Sequence, residues 1–410
     1  MSTRAISDPA RARQPVRGGQ RIVMLWVLLR VLLSLWAAIV SPFRPLTALE
    51  QTVPLWPPAT PPELWLQRVF LAPWERWDAV WYVRIVTEGY QPGNGTDAFH
   101  PLYPLLAWPL TALGLPPLLA LMAIGNLAAL AFLLLFEHTA ALDGEPSQAQ
   151  MASQLLLFFP VAFVFFAPYN EGLFLLFSAL ALLWGRRRRW WLAGIAGALA
   201  VLTRQQGLFL LFPLGVELLT AHAFDLRQTL RDWKGWTAAG LLPLALLGWV
   251  LYRSLVIGGT QLDFASPYAL VRSMVISPSA GKVGAAHVLT WPWHAFYLAG
   301  GRLWTAPDVD LIVNLLLGVL FVGAAVLAWP RLRASYRVYV LVTVLISLSY
   351  HTGLAHPYMG LPRHLFLAFP VFIGLGQRVQ RSWQRWALIC SGFLGSCFLT
   401  LLYILEAWVP

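Results

Sequence analysis

The stretch Ile22–Ser41, IVMLWVLLRVLLSLWAAIVS, is an apolar run that carries one charge, Arg30. A helix that crosses the bilayer core needs about 20 apolar residues, whereas the core of a signal peptide has about 7–15. This run therefore predicts a first transmembrane helix, not a cleaved leader. Several arginines precede it and indicate that it starts in the cytoplasm: Arg4, Arg11, Arg13, Arg17 and Arg21.

Similar apolar runs recur through the chain. Hydrophobic residues make up 58% of the sequence and charged residues 11%, against roughly a quarter charged in an average soluble protein. We predict an all-α polytopic membrane protein with about eleven transmembrane helices in a single domain, 1–410. The further spans fall at approximately 116–136, 151–168, 171–184, 190–203, 207–221, 236–257, 309–329, 338–350, 365–376 and 386–408.

The net charge of +11 does not indicate nucleic-acid binding. The basic residues form short clusters between apolar runs, as the positive-inside rule describes, and not one basic face. With a cytoplasmic tail at 1–21, the other cytoplasmic clusters are Arg186–Arg189; Arg227, Arg231 and Lys234; Arg331, Arg333 and Arg337; and Arg378, Arg381 and Arg385. The extracytoplasmic segments are then 42–115, 258–308 and 351–364.

The first extracytoplasmic loop, 42–115, begins Pro-rich at 42–62 and then turns aromatic. On a helix, Trp74, Trp77, Trp81 and Ile85 would form an apolar stripe suited to the headgroup layer, so we expect amphipathic interfacial helices here. Asp78 lies beside the stripe, with Tyr82 four residues later on the same face. A carboxylate held among aromatic rings at the membrane surface can act as a general base. The alternative is an Asp that pairs with Arg76 or caps a turn.

Four further charged residues lie near or within predicted spans. Glu171 opens a span at its outer end, either as part of a site or as a hydrogen-bonded helix start. Arg204 and Arg363 lie at outer span ends, where the inside bias does not explain them. Each could hold a lipid phosphate through two parallel hydrogen bonds or extend to the headgroups. Arg30, about 13 Å into its span, is either functional or paired with an acid on a neighbouring helix.

Other motifs do not indicate a metal site. Asp308-Val309-Asp310 resembles an Asp-x-Asp metal motif, but it opens a membrane helix on the face that lacks nucleotide sugars. His351, His356 and His364 do not share a helical spacing, and Pro357 intervenes. Cys390 and Cys397 stack on one helix face as packing residues. Asn94-Gly95-Thr96 is a glycosylation sequon, which has meaning only in a eukaryotic host.

A resemblance to a known family rests on four blocks that appear in order. Together they resemble the phosphatidylinositol-glycan class V mannosyltransferases, which include the GPI mannosyltransferase 2 type enzymes and their bacterial relatives. The family pattern usually has Phe in place of His100 and Ser in place of Asn170. The imidazole of His100 either adds a polar contact or simply takes the place of the phenylalanine ring. The blocks are Trp77–Tyr82 with Gly89-Tyr90 and Ala98–Pro104; Tyr169–Phe174; Thr203–Gly207; and Pro362-Arg363 with Phe369-Pro370.

The resemblance implies a GT-C type fold and an inverting hexosyltransferase, with mannose as the expected sugar. Its donor would be a polyprenyl- or dolichyl-phosphate sugar, and its acceptor a lipid- or glycan-linked hydroxyl at the extracytoplasmic face. Asp78 would be the base, and Arg363, then Arg204, would bind the donor phosphate. No cofactor or metal is required, because Arg can supply the electrostatic stabilisation. The substrate-binding residues would be Trp77, Trp81, Tyr82, His100, Tyr103 and Glu171.

Two other functions would also fit a multi-pass chain. A transporter or flippase of lipid-linked sugars would have similar intramembrane charges, but we see no paired repeats. A scaffold explains the spans but not the outer Asp and Arg residues. The membrane would be the cell membrane, or the endoplasmic reticulum in a eukaryotic host.

Overall fold

The computed structural model describes residues 16–43, 69–258, 262–266, 269–270, 273, 288–354 and 356–405. Most of the predicted basic tail and most of the Pro-rich stretch at 42–62 therefore lie outside the described residues.

Helices dominate the described part of the chain, in agreement with the predicted all-α class. They are α1 (Val16–Val40), α2 (Asp78–Glu88), α3 (Leu102–Ala112), α4 (Pro117–Ala140), α5 (Pro146–Leu157), α6 (Glu171–Arg186), α7 (Trp190–Thr203), α8 (Leu211–Ala221), α9 (Leu226–Arg231), α10 (Trp233–Tyr252), α11 (Pro292–Thr305), α12 (Val309–Ala328), α13 (Ala334–Ser349), α14 (Leu361–Phe366), α15 (Pro370–Gly376) and α16 (Ser382–Ile404).

A two-residue antiparallel ladder is the one piece of sheet in the described residues. Its strands are β1 (Val288–Leu289) and β2 (Tyr350–His351), and Val288 pairs with His351. The ladder ties the segment before α11 to the chain that leads into α14.

Five stretches within the described residues are long and apolar enough to cross a membrane: Gly19–Phe43, Pro117–Ala140, Trp233–Ile257, Val309–Arg331 and Ser382–Ile404. Shorter apolar helical stretches run over Trp190–Thr203, Gln205–Ala221 and Ala334–Ser349. The protein is thus a multi-pass helical bundle, and the predicted number of eleven spans stays a prediction.

Proline explains why some predicted spans are broken. Between 151 and 168 the α-helix ends at Leu157, and a 3-10 turn starts at Pro160. Between 365 and 376 the chain forms two short helices that meet at Phe369-Pro370. A proline has no N–H to donate to the preceding turn and clashes with its carbonyl, so each helix stops there.

The predicted interfacial stripe lies in a different environment. Helix α2 begins only at Asp78, and Trp74 belongs to a preceding 3-10 turn. Trp74, Trp81 and Ile85 are buried inside the protein, where α2 packs on α3 and α4. Aromatic side chains of this size bury large apolar areas, and here neighbouring helices cover them instead of lipid headgroups.

The two ends of the bundle carry different polar groups. At one end the arginine clusters bond to acidic residues far away in the chain: Arg186 to Asp143 at 2.8 Å and Arg333 to Glu217 at 2.9 Å. Helix α6 runs from Glu171 to Arg186, so the carboxyl of Glu171 lies at the opposite end, about 24 Å away along the axis.

Candidate active site

Asp78 is the first residue of α2, and the turn before it is held by α16. Trp77 has a positive φ of 56°, which is rare for a bulky side chain. The indole Nε1–H of Trp77 donates to the carbonyl of Tyr403 at 3.2 Å. The Tyr403 hydroxyl in turn donates to the carbonyls of Trp74, at 2.7 Å, and Arg76. These bonds fix the direction in which the Asp78 carboxylate leaves the helix.

Glu171 is the first residue of α6, and its side chain is fully buried. The preceding Asn170 anchors the helix start, because its Nδ2–H donates to the carbonyl of Thr203 at 2.9 Å. Gly172 lets α6 approach α4 closely. A Cβ at this position would lie 2.7 Å from the carbonyl oxygen of Gly125 and 2.8 Å from the Cβ of Ala129. Small residues at such crossings are typical of helices packed in membranes.

Arg204 follows the last residue of α7, where the chain turns back in extended conformation. Local packing explains the glycine that ends the Thr203–Gly207 motif, since a Cβ on Gly207 would overlap the backbone of Ala200 and Val201. Only glycine permits this close return of the chain. The turn directs Arg204 inward, where its Nη1–H donates to Glu171 Oε1 and, at 2.8 Å, to Asn170 Oδ1.

Arg363 connects the two carboxylates. It lies on the short helix α14 and is 8% exposed. Its Nη2–H donates to Asp78 Oδ2 at 2.5 Å, and its Nε–H donates to Glu171 Oε1. The guanidinium carbon also lies 4.3 Å from the ring centroid of Tyr169, a stacked cation–π geometry that favours Arg over Lys.

The resulting cluster, Asp78, Glu171, Arg204 and Arg363, holds two carboxylates and two guanidinium groups, so its formal charge is balanced. Asp78 Oδ1 accepts no hydrogen bond from a described residue, and the Asp78 side chain is 27% exposed. Arg204 uses only its Nη1 on described partners. The cluster therefore keeps an accepting carboxylate oxygen and donating guanidinium N–H groups for a ligand.

Aromatic rings line the side of this cluster formed by α2. Tyr82 packs edge-on against Phe99 at 5.1 Å and Tyr103 at 4.8 Å, and Trp81 stacks on Phe99 at 6.0 Å. Tyr103 is fully buried, and its hydroxyl donates to the carbonyl of Leu121 at 2.8 Å. Tyr103 therefore lies behind Tyr82 in the packed core, while Trp81 and Tyr82 are nearer the Asp78 side of the helix.

His100 lies between the turn that carries Arg204 and the C-terminal end of α10. Its Nδ1–H donates to the carbonyl of Val201 at 2.7 Å, and its ring centroid is 5.9 Å from that of Trp249. Burial, followed by the positive charges of Arg253 and Arg204, lowers the pKa of His100 to about 3 despite the raising effect of the Val201 bond. The imidazole is therefore neutral at physiological pH.

No three His, Cys, Asp or Glu side chains converge as a metal site in the described ranges. Asp308 is the N-cap of α12 and accepts from the backbone N–H of Leu311 at 2.7 Å. Arg30 donates to the carbonyl of Phe166 and lies 5.2 Å from the ring centroid of Trp74. Among the described residues, a carbonyl and the rings of Trp74 and Phe166, not an acidic side chain, thus contact this intramembrane charge.

Three residues that were not among the predicted site residues support the cluster: Tyr169, Asn170 and Tyr403. The first two directly precede Glu171, and that adjacency was the available signal. Tyr403 had none, because its contacts lie 327 and 329 positions away in the chain.

Comparison with known families identifies the chain. The family model described as Mannosyltransferase (PIG-V) matches residues 20–243, a range that contains Asp78, His100, Glu171 and Arg204. No curated protein gives a significant match. Because the family model covers more than half of the chain, the protein belongs to the mannosyltransferase (PIG-V) family and is a multi-pass membrane glycosyltransferase.

Proposed function

We propose that the protein transfers mannose from a polyprenyl- or dolichyl-phosphate donor to a hydroxyl of a lipid- or glycan-linked acceptor, with inversion at the anomeric carbon. The observation that carries this proposal is the contact of Arg363 with both Asp78 and Glu171. It joins a partly accessible carboxylate to a buried pair of arginines in one cluster.

Asp78 is the proposed general base. Its Oδ1 takes the proton of the acceptor hydroxyl as the acceptor oxygen attacks the anomeric carbon from the side opposite the phosphate. The bond between that carbon and the phosphate oxygen breaks, and its electron pair stays on the phosphate. One displacement of this kind inverts the configuration. Arg363 holds Asp78 Oδ2 at 2.5 Å, which orients the base without occupying its other oxygen.

Arg204 and Arg363 are the proposed binding residues for the donor phosphate. The phosphate gains negative charge as it leaves, and preorganised guanidinium groups stabilise charge where it develops. Arg204 has more N–H groups left for this role, since Nε and Nη2 make no bond to a described residue, whereas Arg363 already uses Nε and Nη2. Glu171 balances both cations and keeps them in place when no donor is bound.

Trp77, Trp81, Tyr82 and His100 are the proposed substrate contacts around the cluster, with Tyr103 supporting Tyr82 from behind. Aromatic rings suit the C–H faces of a sugar and the isoprenoid chain of the donor. No metal is needed in this proposal, because the two arginines supply the positive charge.

The proposed face is the extracytoplasmic one. The cluster lies at the end of α6 opposite to Arg186, and arginine-rich ends of membrane helices favour the cytoplasm. A lipid-phosphate sugar fits this location, because nucleotide sugars are cytoplasmic donors. The proposed membrane is the cell membrane, or the endoplasmic reticulum in a eukaryotic host.

The experiment offers purified full-length protein two labelled donors, polyprenyl-phosphate mannose and GDP-mannose, with a panel of lipid and glycan acceptors. We expect label to reach an acceptor only from the lipid donor, with the linkage inverted relative to the donor. Transfer from GDP-mannose alone would overturn the donor assignment. Movement of intact lipid donor across vesicles, without cleavage of the sugar–phosphate bond, would instead indicate the flippase alternative.

A further inference from the structure

A second group of aromatic side chains adjoins the cluster around Asp78. Trp249 stacks on Tyr252 at 5.9 Å, and Tyr90 lies 5.2 Å from Trp249. His100 is the fourth ring, 5.9 Å from Trp249. The group lies where the C-terminal end of α10 meets the turn before α3, and His100 connects it to the chain beside Arg204 through its bond to Val201.

The bond to Val201 determines which nitrogen of His100 carries the proton. A carbonyl oxygen can only accept, so Nδ1 must donate and Nε2 of the neutral ring must be the accepting nitrogen. Burial and the neighbouring arginines lower the pKa of His100 to about 3, which keeps the ring neutral. Nε2 makes no hydrogen bond to any residue that the structure describes.

Trp249 presents the complementary group. Its side chain is 3% exposed, and its Nε1–H has no acceptor among the described residues. The indole can donate but never accept. A buried donor without a partner costs free energy, which a suitably placed ligand atom would recover.

An acceptor on His100 and a donor on the adjacent Trp249 restrict the ligand chemistry. A phosphate or carboxylate offers only acceptors to this pair, and an ammonium offers only donors. A hydroxyl can donate to Nε2 of His100 and accept from Nε1 of Trp249 at the same time. The flanking rings of Tyr90 and Tyr252 add faces for the C–H groups of a sugar.

We propose that His100 and Trp249 form a subsite that binds one hydroxyl of a sugar ring in the substrate. This inference rests on the proposed function for its substrate class. A phenylalanine in place of His100, which the family pattern usually has, keeps the ring but cannot accept a hydrogen bond. The subsite therefore makes sugar recognition in this chain depend on a residue that departs from the family pattern.

The test measures binding of methyl α-mannoside and its four monodeoxy analogues to the full chain in nanodiscs. For the wild type, removal of one particular hydroxyl should weaken binding by about tenfold. The His100→Phe and Trp249→Phe variants should bind the parent mannoside about as weakly as the wild type binds that deoxy analogue. Removal of the same hydroxyl should not weaken their binding further. Trp304→Phe, at a side chain that is 91% exposed, is the matched control and should bind like the wild type.

Three outcomes would overturn the subsite. In the first, both variants still lose affinity when that hydroxyl is removed. In the second, the wild type binds every deoxy analogue as well as the parent mannoside. In the third, no mannoside binds, as expected if a water molecule fills the position. If His100→Phe does not fold, Trp249→Phe and the ¹⁵N resonances of the histidine rings remain. His100 is the histidine whose ring stays neutral in acid, with its proton on Nδ1. The ¹⁵N resonance of its Nε2 should shift when mannoside is added to the wild type, and an unchanged resonance would also overturn the proposal.

A competition arm separates the two possible sources of the hydroxyl. Saturating farnesyl-phosphate mannose should displace the mannoside if the subsite holds the donor sugar, and both should bind together if it holds the acceptor sugar. The outcome is independent of the transfer assay. If the protein binds mannoside through His100 but transfers no mannose, the proposed function is wrong and the subsite stands. If it transfers mannose but its mannoside binding depends on no hydroxyl, the subsite is wrong and the proposed function stands.

Discussion

Arg363 makes the contacts on which the site depends, and none of them could be read from its neighbours in the chain. Its partners Asp78 and Glu171 lie 285 and 192 positions away. Sequence reasoning identified Asp78, Glu171, Arg204 and Arg363 separately, because charged residues are costly at the ends of apolar spans. It predicted a phosphate role for both arginines but not their shared bond to Glu171, since pairing depends on how the helices pack.

Glu171→Gln should destabilise the protein strongly. The change leaves the buried Arg204 and Arg363 with one carboxylate between them, and loss of one partner of a buried ion pair costs about 3–5 kcal/mol. Thermal unfolding in detergent measures this, with the exposed Glu88→Gln as the control. A melting temperature equal to that of the wild type would show that the cluster is not an important source of stability.

At the scale of single elements, sequence reasoning was most accurate for the long helices and least accurate for the short ones. Helices α4, α10, α12 and α16 lie close to the predicted spans because each has a long apolar run. The stripe from Trp74 to Ile85 was predicted to face lipid headgroups, but the same periodicity also describes a segment that neighbouring helices bury. Hydrophobic pattern shows which face is apolar and not what covers it.

Gly172→Ala tests the crossing of α6 and α4. The added Cβ would lie 2.7–2.9 Å from backbone and Cβ atoms of Gly125 and Ala129, none of which can rotate away. We expect a loss of about 1–3 kcal/mol of stability from overpacking, together with reduced transfer as Glu171 moves with the helix.

Gly323→Ala is the matched control for this crossing, because a Cβ there meets nothing within 4 Å on α12. It should be neutral or slightly stabilising, since alanine favours helix more than glycine. Equal behaviour of the two variants would mean that α6 and α4 can separate without consequence for the site.

At the scale of the whole molecule, the separation of charge between the two ends of the bundle predicts the sidedness of the site. Sequence reasoning obtained the orientation from the arginine clusters alone, because that bias does not depend on the exact number of spans. The number of spans is harder to predict, since prolines divide apolar runs into helices shorter than the bilayer core, and eleven stays a prediction.

Labelling of single cysteines in intact cells measures this sidedness. With Cys390 and Cys397 replaced by serine, Glu88→Cys should react with a membrane-impermeant maleimide from outside, and Arg189→Cys only after permeabilisation. Glu88 ends α2, about 15 Å along the helix from Asp78, and Arg189 is exposed in the arginine cluster beyond α6. The reverse pattern would put the cluster on the cytoplasmic side and exclude the proposed donor.

The rate of mannose transfer by Asp78→Asn tests the central claim most directly, namely that Asp78 removes the acceptor proton. The amide keeps the shape of the side chain but is no longer a base, and general-base catalysis contributes about 10²–10⁴-fold. We predict a loss of this size with normal membrane insertion, while Glu88→Gln on the same helix retains wild-type turnover. Equal rates for Asp78→Asn and the wild type would contradict the account.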